Sequence, residues 1–436
     1  MEPEELEDVQ GAGGGKASMK ICMVEACRDA DAGSIGAWYI CDHAQRAGHE
    51  VDILRNTRDG YDVELISVHH CTDFMRLASM PKRARWRIVG GHPMQNNPLP
   101  AIPFADAICV GEGESWIGPA LELLKREDDI EALTDLPGTI VSKRWKRGSA
   151  PPAGNVEDPL PDNRPYLNRP GTRSAAWYIE IARGCPYKCH YCELGNSMPF
   201  RLYDVEQVKR VLDQADTSKA RKINFYAPDE ASHPHYKELF SYLKTKGFAA
   251  GFSSMRVDSV LRRGLPDIPT NYLIRVGIDG LTEETRRRVN KNITDDMIVE
   301  YFRMLLDRGF VQLKTFFIFG YPWEKLEDFE GFERLMERVF ALPLTKNVSL
   351  RIKWTPFIPQ PCTPLGATEA QYDFDMVDKI NTWHALHKYP RVEPGFWVTN
   401  DGLMTRRSHQ LQCRLTSGDE GILLKLREAR PLHTRF

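Results

Sequence analysis

The sequence predicts an α/β protein in two parts: an N-terminal doubly wound parallel sheet, then a partial (β/α)6 TIM-like barrel with a small C-terminal extension. Three observations carry this reading. Short apolar runs alternate with amphipathic helical stretches from Lys20 to about Lys125, six further strand–helix units follow between Ala175 and Gly366, and a proline-rich stretch separates the two series. A chain of 436 residues exceeds one typical domain. The expected division is an acidic, glycine-rich, disordered tail (1–18), an α/β domain (19–126), a linker (127–173), a barrel (174–366) and an extension (367–436).

In the first part, MKICMV (19–24), VDIL (51–54), VELISV (63–68), RIVGG (87–91) and DAICVG (106–111) read as buried strands. Helices are expected over 34–49 and from about Glu114. Ligands of such sheets sit beyond the carboxyl ends of the strands. Here those ends are Glu25 to Gly36, His69 to Asp73, Gly90 to Pro93 and Gly111 to Glu114. The linker carries a basic cluster, Lys143 to Arg147, read as a solvated face, and the prolines at 151, 152, 159, 161, 165 and 170.

The barrel strands are WYIEIA (177–182), INFYA (223–227), AAGFSS (249–254), LIRVGI (273–278), QLKTFFIF (312–319) and VSLRIKWTPF (348–357). Functional groups of a barrel lie at the C-terminal ends of its strands. Those ends hold Asp229 and Glu230, then Ser254 and Arg256, then Asp279 with the arginines 286 to 288, then Gly320 and Pro322. The extension, with a helical pattern over 373–387, is expected to close the bottom or side of the barrel and to help define the substrate pocket.

Composition excludes several classes. Net charge −2 with 27% charged residues argues against a bulk electrostatic nucleic-acid binder, while a local patch stays open. No apolar run approaches the roughly 20 residues that span a bilayer. Ten cysteines without an apolar leader read as reduced thiols of a cytoplasmic protein.

The decisive motif is IARGCPYKCHYCELG, which holds Cys185, Cys189 and Cys192 in the spacing C-x3-C-x2-C with Tyr191 before the last. Three soft thiolates converging from one loop suit an iron–sulfur cluster and leave one iron of a 4Fe-4S cube open. Zinc is the rival, but it usually gathers four ligands, and His190 is a poor fourth because adjacent positions rarely converge on one ion. Cys362 and Cys413 lie outside the motif and read as inert thiols.

The spacing C-x3-C-x-aromatic-C resembles the signature of the radical S-adenosylmethionine (SAM) superfamily. The resemblance implies that SAM binds the open iron through its amino and carboxylate groups, and that electron transfer cleaves it to methionine and a 5′-deoxyadenosyl radical. An electron donor such as flavodoxin or ferredoxin is implied as a partner. The strand ends match as well. Tyr191, Asp229, Glu230, Ser254, Arg256, Asp279, Arg287, Gly320 and Pro322 become the candidate SAM contacts, with Arg256 offering a fork to a carboxylate.

Two further stretches, GGHP (90–93) and ADAICVGEGE (105–114), resemble the class of this superfamily with an N-terminal cobalamin-binding-type domain. The D-x-H-x-x-G triplet that ligates cobalt in that domain is absent, the first loop reading EACRDADAGSIG. His69, His70 and His92 are the histidines left as candidate ligands, and a fold that has lost the cofactor is the alternative. The implied function is modification of an unactivated carbon of a small-molecule, peptide or nucleotide-derived substrate, foremost by cobalamin-dependent methylation. A cobalamin-independent radical isomerase is the second reading, and a non-catalytic metal-binding module the third. The methylthiotransferases of the superfamily carry three cluster cysteines in an added N-terminal domain, and Cys22, Cys27, Cys41, Cys71 and Cys109 do not reproduce them.

Overall fold

The computed structural model describes residues 18–27, 34–168, 175–251, 254–388, 394–417 and 421–429; the expected disordered tail lies outside these except for Ser18. The N-terminal sheet is built from β1 (Lys20–Glu25), β2 (Glu50–Leu54), β3 (Val63–Ser67), β4 (Trp86–Gly90), β5 (Ala107–Cys109) and β6 (Thr139–Val141). Its order is β2-β1-β3-β4-β5-β6. β1 to β5 run parallel and β6 is antiparallel to β5. Every residue of β3 is buried, because helices cover both faces of the sheet. Helices Ile35–Arg46 and Glu114–Glu127 pack on one side and helix Phe74–Ser79 on the other. Glu64 of β3 is buried without loss because Arg87 of β4 donates to it at 2.6 Å.

The stretch expected to be linker does more than connect. It supplies β6, and then β7 (Tyr166–Leu167), which pairs antiparallel with β8 (Trp177–Glu180). β9 (Ala182–Arg183) and β10 (Arg201–Leu202) form a small antiparallel pair. β11 (Lys222–Tyr226) and β12 (Ala249–Ala250) join β8 in parallel. A parallel bridge from Ser254 to Arg275 carries the series on to β13 (Leu273–Gly277), β14 (Gln312–Phe319) and β15 (Val348–Pro356). All six expected barrel strands are therefore present. A further parallel strand, β16 (Phe396–Leu403), extends the sheet beyond β15.

Burial alternates strictly along β14 and β15. One set of side chains, including Phe317, Phe319 and Trp354, packs with Phe332 of helix Phe329–Phe340 and Trp383 of helix Phe374–His387. The Trp354 indole N–H donates to His384 Nε2 at 2.8 Å, and both residues are buried. Burial lowers the His384 pKa to about 4. The unfolded chain therefore takes up a proton that the native chain refuses, and stability falls as pH drops from about 6.5 toward 4. His384→Gln keeps an acceptor for Trp354 and removes the titration. Denaturant midpoints followed over that window are expected to fall less steeply in this variant than in the parent chain.

The extension divides between the side of the barrel and the N-terminal domain. Helix Phe374–His387 and β16 continue the barrel wall, but helices Arg406–Thr416 and Ile422–Ala429 return to the N-terminal domain. There Leu415, Ile422 and Leu423 join the core of Val24, Phe74 and Leu77. Asn97 fastens the crossing by donating to the Leu415 carbonyl at 3.2 Å. Among the described residues no helix is long and apolar enough to cross a membrane.

Candidate active site

Gly184 ends β9 at φ +70°, and a Cβ there would stand 2.1 Å from the Pro199 carbonyl oxygen, so the turn into the cysteine loop requires glycine. Gly195 closes the loop under a similar limit, with a Cβ meeting the Tyr187 carbonyl at 1.8 Å. Next to Gly195, Asn196 donates to the carbonyls of Cys189 (2.9 Å) and Cys192 (2.7 Å), which folds the loop back on itself. Cys189 is buried and the other two cysteines are half-buried. Burial raises the thiols of Cys185 and Cys192 above their ordinary range, so bare thiols are neutral here and a bound cation would have to draw off their protons. Among the described residues, three ligand atoms lying within 4.8 Å of one another are found at Glu25, Cys27 and His69 and not at the cysteine triplet. A spread triplet suits thiolates on separate irons better than thiolates on one zinc.

The strand ends deliver most of the expected residues to this loop. Asp229 is buried, accepts from Ser259 Oγ at 2.7 Å and from Tyr187 at 3.3 Å, and so underpins the loop from below. Burial raises its carboxyl above the usual range. Glu230 is fully buried beside it. Arg256 lies over the Tyr187 ring at 3.8 Å and donates to Cys189 Sγ at 3.4 Å. Its other donors form a fork onto Asp258 at 2.9 and 3.2 Å, so this guanidinium is held between the Cys189 sulfur and Asp258 rather than standing free for a carboxylate. Tyr191 donates to Asp279 at 2.7 Å, and Lys291 pairs with the same carboxylate. Asp279 sits at φ +60° and takes the Tyr321 hydroxyl on its carbonyl at 3.0 Å. Gly320 turns at φ +80° and donates to Glu324 at 2.6 Å, with Pro322 exposed at the tip.

Two expected residues are not brought to the cysteine loop. The Arg287 side chain is 68% exposed and pairs with Glu284 on the surface. Its neighbour Arg286 is fully buried and staples the barrel by donating to the carbonyls of Ile293 and Gly280. Ser254 is exposed, and its backbone carries the bridge to β13. Residues that sequence patterning passed over are Tyr187, Asn196, Ser259, Lys291 and Tyr321. Tyr187 and Asn196 flank the cysteines, and that proximity was their one signal.

The loop, the strand ends and the topology now stand together for comparison. Residues 179–336 match the Radical SAM superfamily. The chain carries a radical SAM domain. As such it is a radical SAM enzyme, whose family uses a 4Fe-4S cluster and SAM; Cys185, Cys189 and Cys192 are the residues that fit the cluster. Over 372 residues the chain is 24% identical to an uncharacterized protein of Methanocaldococcus jannaschii, covering 83% of this chain and 79% of that one. It is 23% identical over 375 residues to the hopanoid C-3 methylase of Methylococcus capsulatus, covering 77% and 68%. Its fold is similar to that of the radical SAM methyltransferase TsrM of Kitasatospora setae, solved with cobalamin and a [4Fe-4S] cluster bound. That match has a TM-score of 0.60 at 14% identity and covers 91% of this chain and 85% of the other.

A cavity of about 560 Å³ separates the radical SAM domain from the N-terminal sheet. Its walls come from both sides: Ser67, Gly91 and Gly113 at the sheet's carboxyl edge, and Gly184, Leu194 and Met198 around the cysteine loop. Arg183 crosses the seam to Glu114 at 2.8 Å and Glu112 at 3.4 Å, besides pairing with Glu180 at 2.8 Å on its own side. Burial raises the Glu114 carboxyl against the pull of Arg183. His92 and Asn96 reach from the loop after β4 to Glu193, the residue after Cys192. Of the other candidate histidines, His70 turns its ring to Thr72 at 2.9 Å, and His69 faces Glu25.

Proposed function

We propose that this radical SAM enzyme methylates an unactivated carbon of its substrate and holds cobalamin in the cavity between its two domains. One observation carries the reading: the carboxyl edge of the N-terminal sheet and the cysteine loop line the same cavity. A methyl carrier held there would face the site where a substrate radical forms. The residues present fit a large, flat, amide-fringed group. Ile66, Ile88 and Trp116 give apolar wall, and Glu112, Glu114 and Arg183 give polar wall. When bound, the cluster and SAM supply a 5′-deoxyadenosyl radical for hydrogen abstraction, and cobalamin supplies a methyl group. The chain's own part is to position Cys189 through Arg256, to hold Tyr191 through Asp279 and Lys291, and to keep water from the cavity. The similarity to a methylase of known product class supports this reading over an isomerase. The substrate class stays as broad as the sequence implies, and a small reductant protein such as flavodoxin or ferredoxin is the proposed partner.

The test is anaerobic reconstitution with hydroxocobalamin, removal of free cofactor, and incubation with SAM and dithionite. About one retained cobalamin per chain, with S-adenosylhomocysteine formed beside 5′-deoxyadenosine, is the expected result. Deoxyadenosine formed by a chain that retains no cobalamin would overturn the methylation reading and leave the isomerase in its place.

A further inference from the structure

β1 and β3 are parallel neighbours in register, with Glu25 opposite Ser67. Alternate residues of an extended chain point the same way, so Glu25 and Cys27 leave one strand on the side from which His69 leaves the other. Their ligand atoms converge, all within 4.8 Å of one another. Glu25 is 9% exposed, and its Oε2 stands 3.3 Å from His69 Nε2. Both of these atoms are buried, and among the described residues neither has a hydrogen-bond partner. Two buried polar atoms facing each other without a hydrogen bond are costly unless a third group lies between them. A tetrahedral zinc ion bonded at about 2.0–2.2 Å to nitrogen and oxygen sets those two ligands about 3.4 Å apart. The observed separation matches a pair of zinc ligands.

We infer that Glu25, Cys27 and His69 form a site for a divalent zinc ion, separate from the cluster cysteines and set in the wall of the cavity proposed above for cobalamin. One oxygen, one sulfur and one nitrogen make a donor set of borderline softness, which suits zinc better than magnesium or calcium. Three protein ligands leave the fourth position to water or to a group from the adjoining cavity, whose wall His69 helps to form. Binding releases the Cys27 proton as the thiolate engages the ion. The ion would pin the ends of β1 and β3 together at the edge where the cavity opens.

The probe is zinc itself, on the full chain with its cluster reconstituted and no cobalamin added. After equilibration with zinc and desalting, metal content is measured and the zinc X-ray absorption edge is recorded, at which the cluster iron is silent. One zinc per chain with a single sulfur neighbour at about 2.3 Å is expected. Cys27→Ala should lose that sulfur shell, and Glu25→Gln and His69→Ala should reduce retained zinc to background while iron content stays at the parent level. Iron content reports that each variant has folded, and the near-isosteric Glu25→Gln decides the matter if Cys27→Ala fails to fold. Background zinc in the parent chain, three sulfurs per zinc, or zinc content unchanged in Glu25→Gln would each overturn the assignment.

Discussion

Cys189→Ala is expected to reduce both iron content and 5′-deoxyadenosine formation to background. Cys189 is the buried member of the triplet, and it is held at two points. Arg256 donates to its sulfur, and Asn196 donates to its carbonyl. Removing the sulfur therefore deletes one thiolate of three and also leaves the stacked guanidinium of Arg256 with Asp258 as its remaining acceptor. Loss of one ligand from a cluster already short of a fourth thiolate leaves two irons open to solvent, which is why no partial activity is expected. Anaerobic iron and sulfide analysis with a timed SAM-cleavage assay checks this. Parent-level cleavage by the alanine variant would end the assignment of this loop to the cluster.

Arg183→Ala carries the largest expected stability effect. Arg183 is 9% exposed and touches Glu180, Glu114 and Glu112, so its loss leaves Glu112 with Arg201 and leaves the buried carboxylates of Glu114 and Glu180 without their cation. Removing one partner from a buried ion network costs about 3–5 kcal/mol. The sign of the pH dependence follows from the same geometry. Without the guanidinium, the native carboxyls hold protons that the unfolded chain gives up, so the deficit is smallest in acid and widens as pH rises. Arg183→Lys restores charge but not the fork, and should recover part of the loss. Urea titrations of the apoprotein in mildly acidic and mildly alkaline buffer measure both effects. A loss under about 1 kcal/mol, of the size of an exposed ion pair, would show that the network is not load-sharing across the seam.

The longest elements that patterning found complete their burial period within one segment. β14 and β15 alternate over eight and nine residues, and the helix at Glu114 presents an apolar face over almost four turns. β6 and β7, three and two residues long, offer no period to read. β16 carries exposed Trp397 and a polar run from Thr399 to Asp401, which hides its strand character. The arginine triplet shows the same limit at the site. Helix Glu283–Arg288 has six residues, too short for periodicity to tell which arginine points inward, and burial chose Arg286 over Arg287. The cysteine spacing was legible because its chemistry is local. Tyr191 and Asp279 are 88 positions apart, and their hydrogen bond exists only once the barrel brings the fourth strand end beside the first loop.

The return of the last helices to the first domain bears on how the chain comes to be folded. Asn97 and Leu415 are separated by 318 positions, and the side chains of Leu415, Ile422 and Leu423 complete a core that begins at Cys22. During synthesis the segment from Cys22 onward thus lacks part of its own interior until Leu423, on the far side of the barrel in sequence, has left the ribosome. Contacts of such long separation slow folding and leave apolar surface open in the interval. This sheet domain is made before the barrel and finished after it.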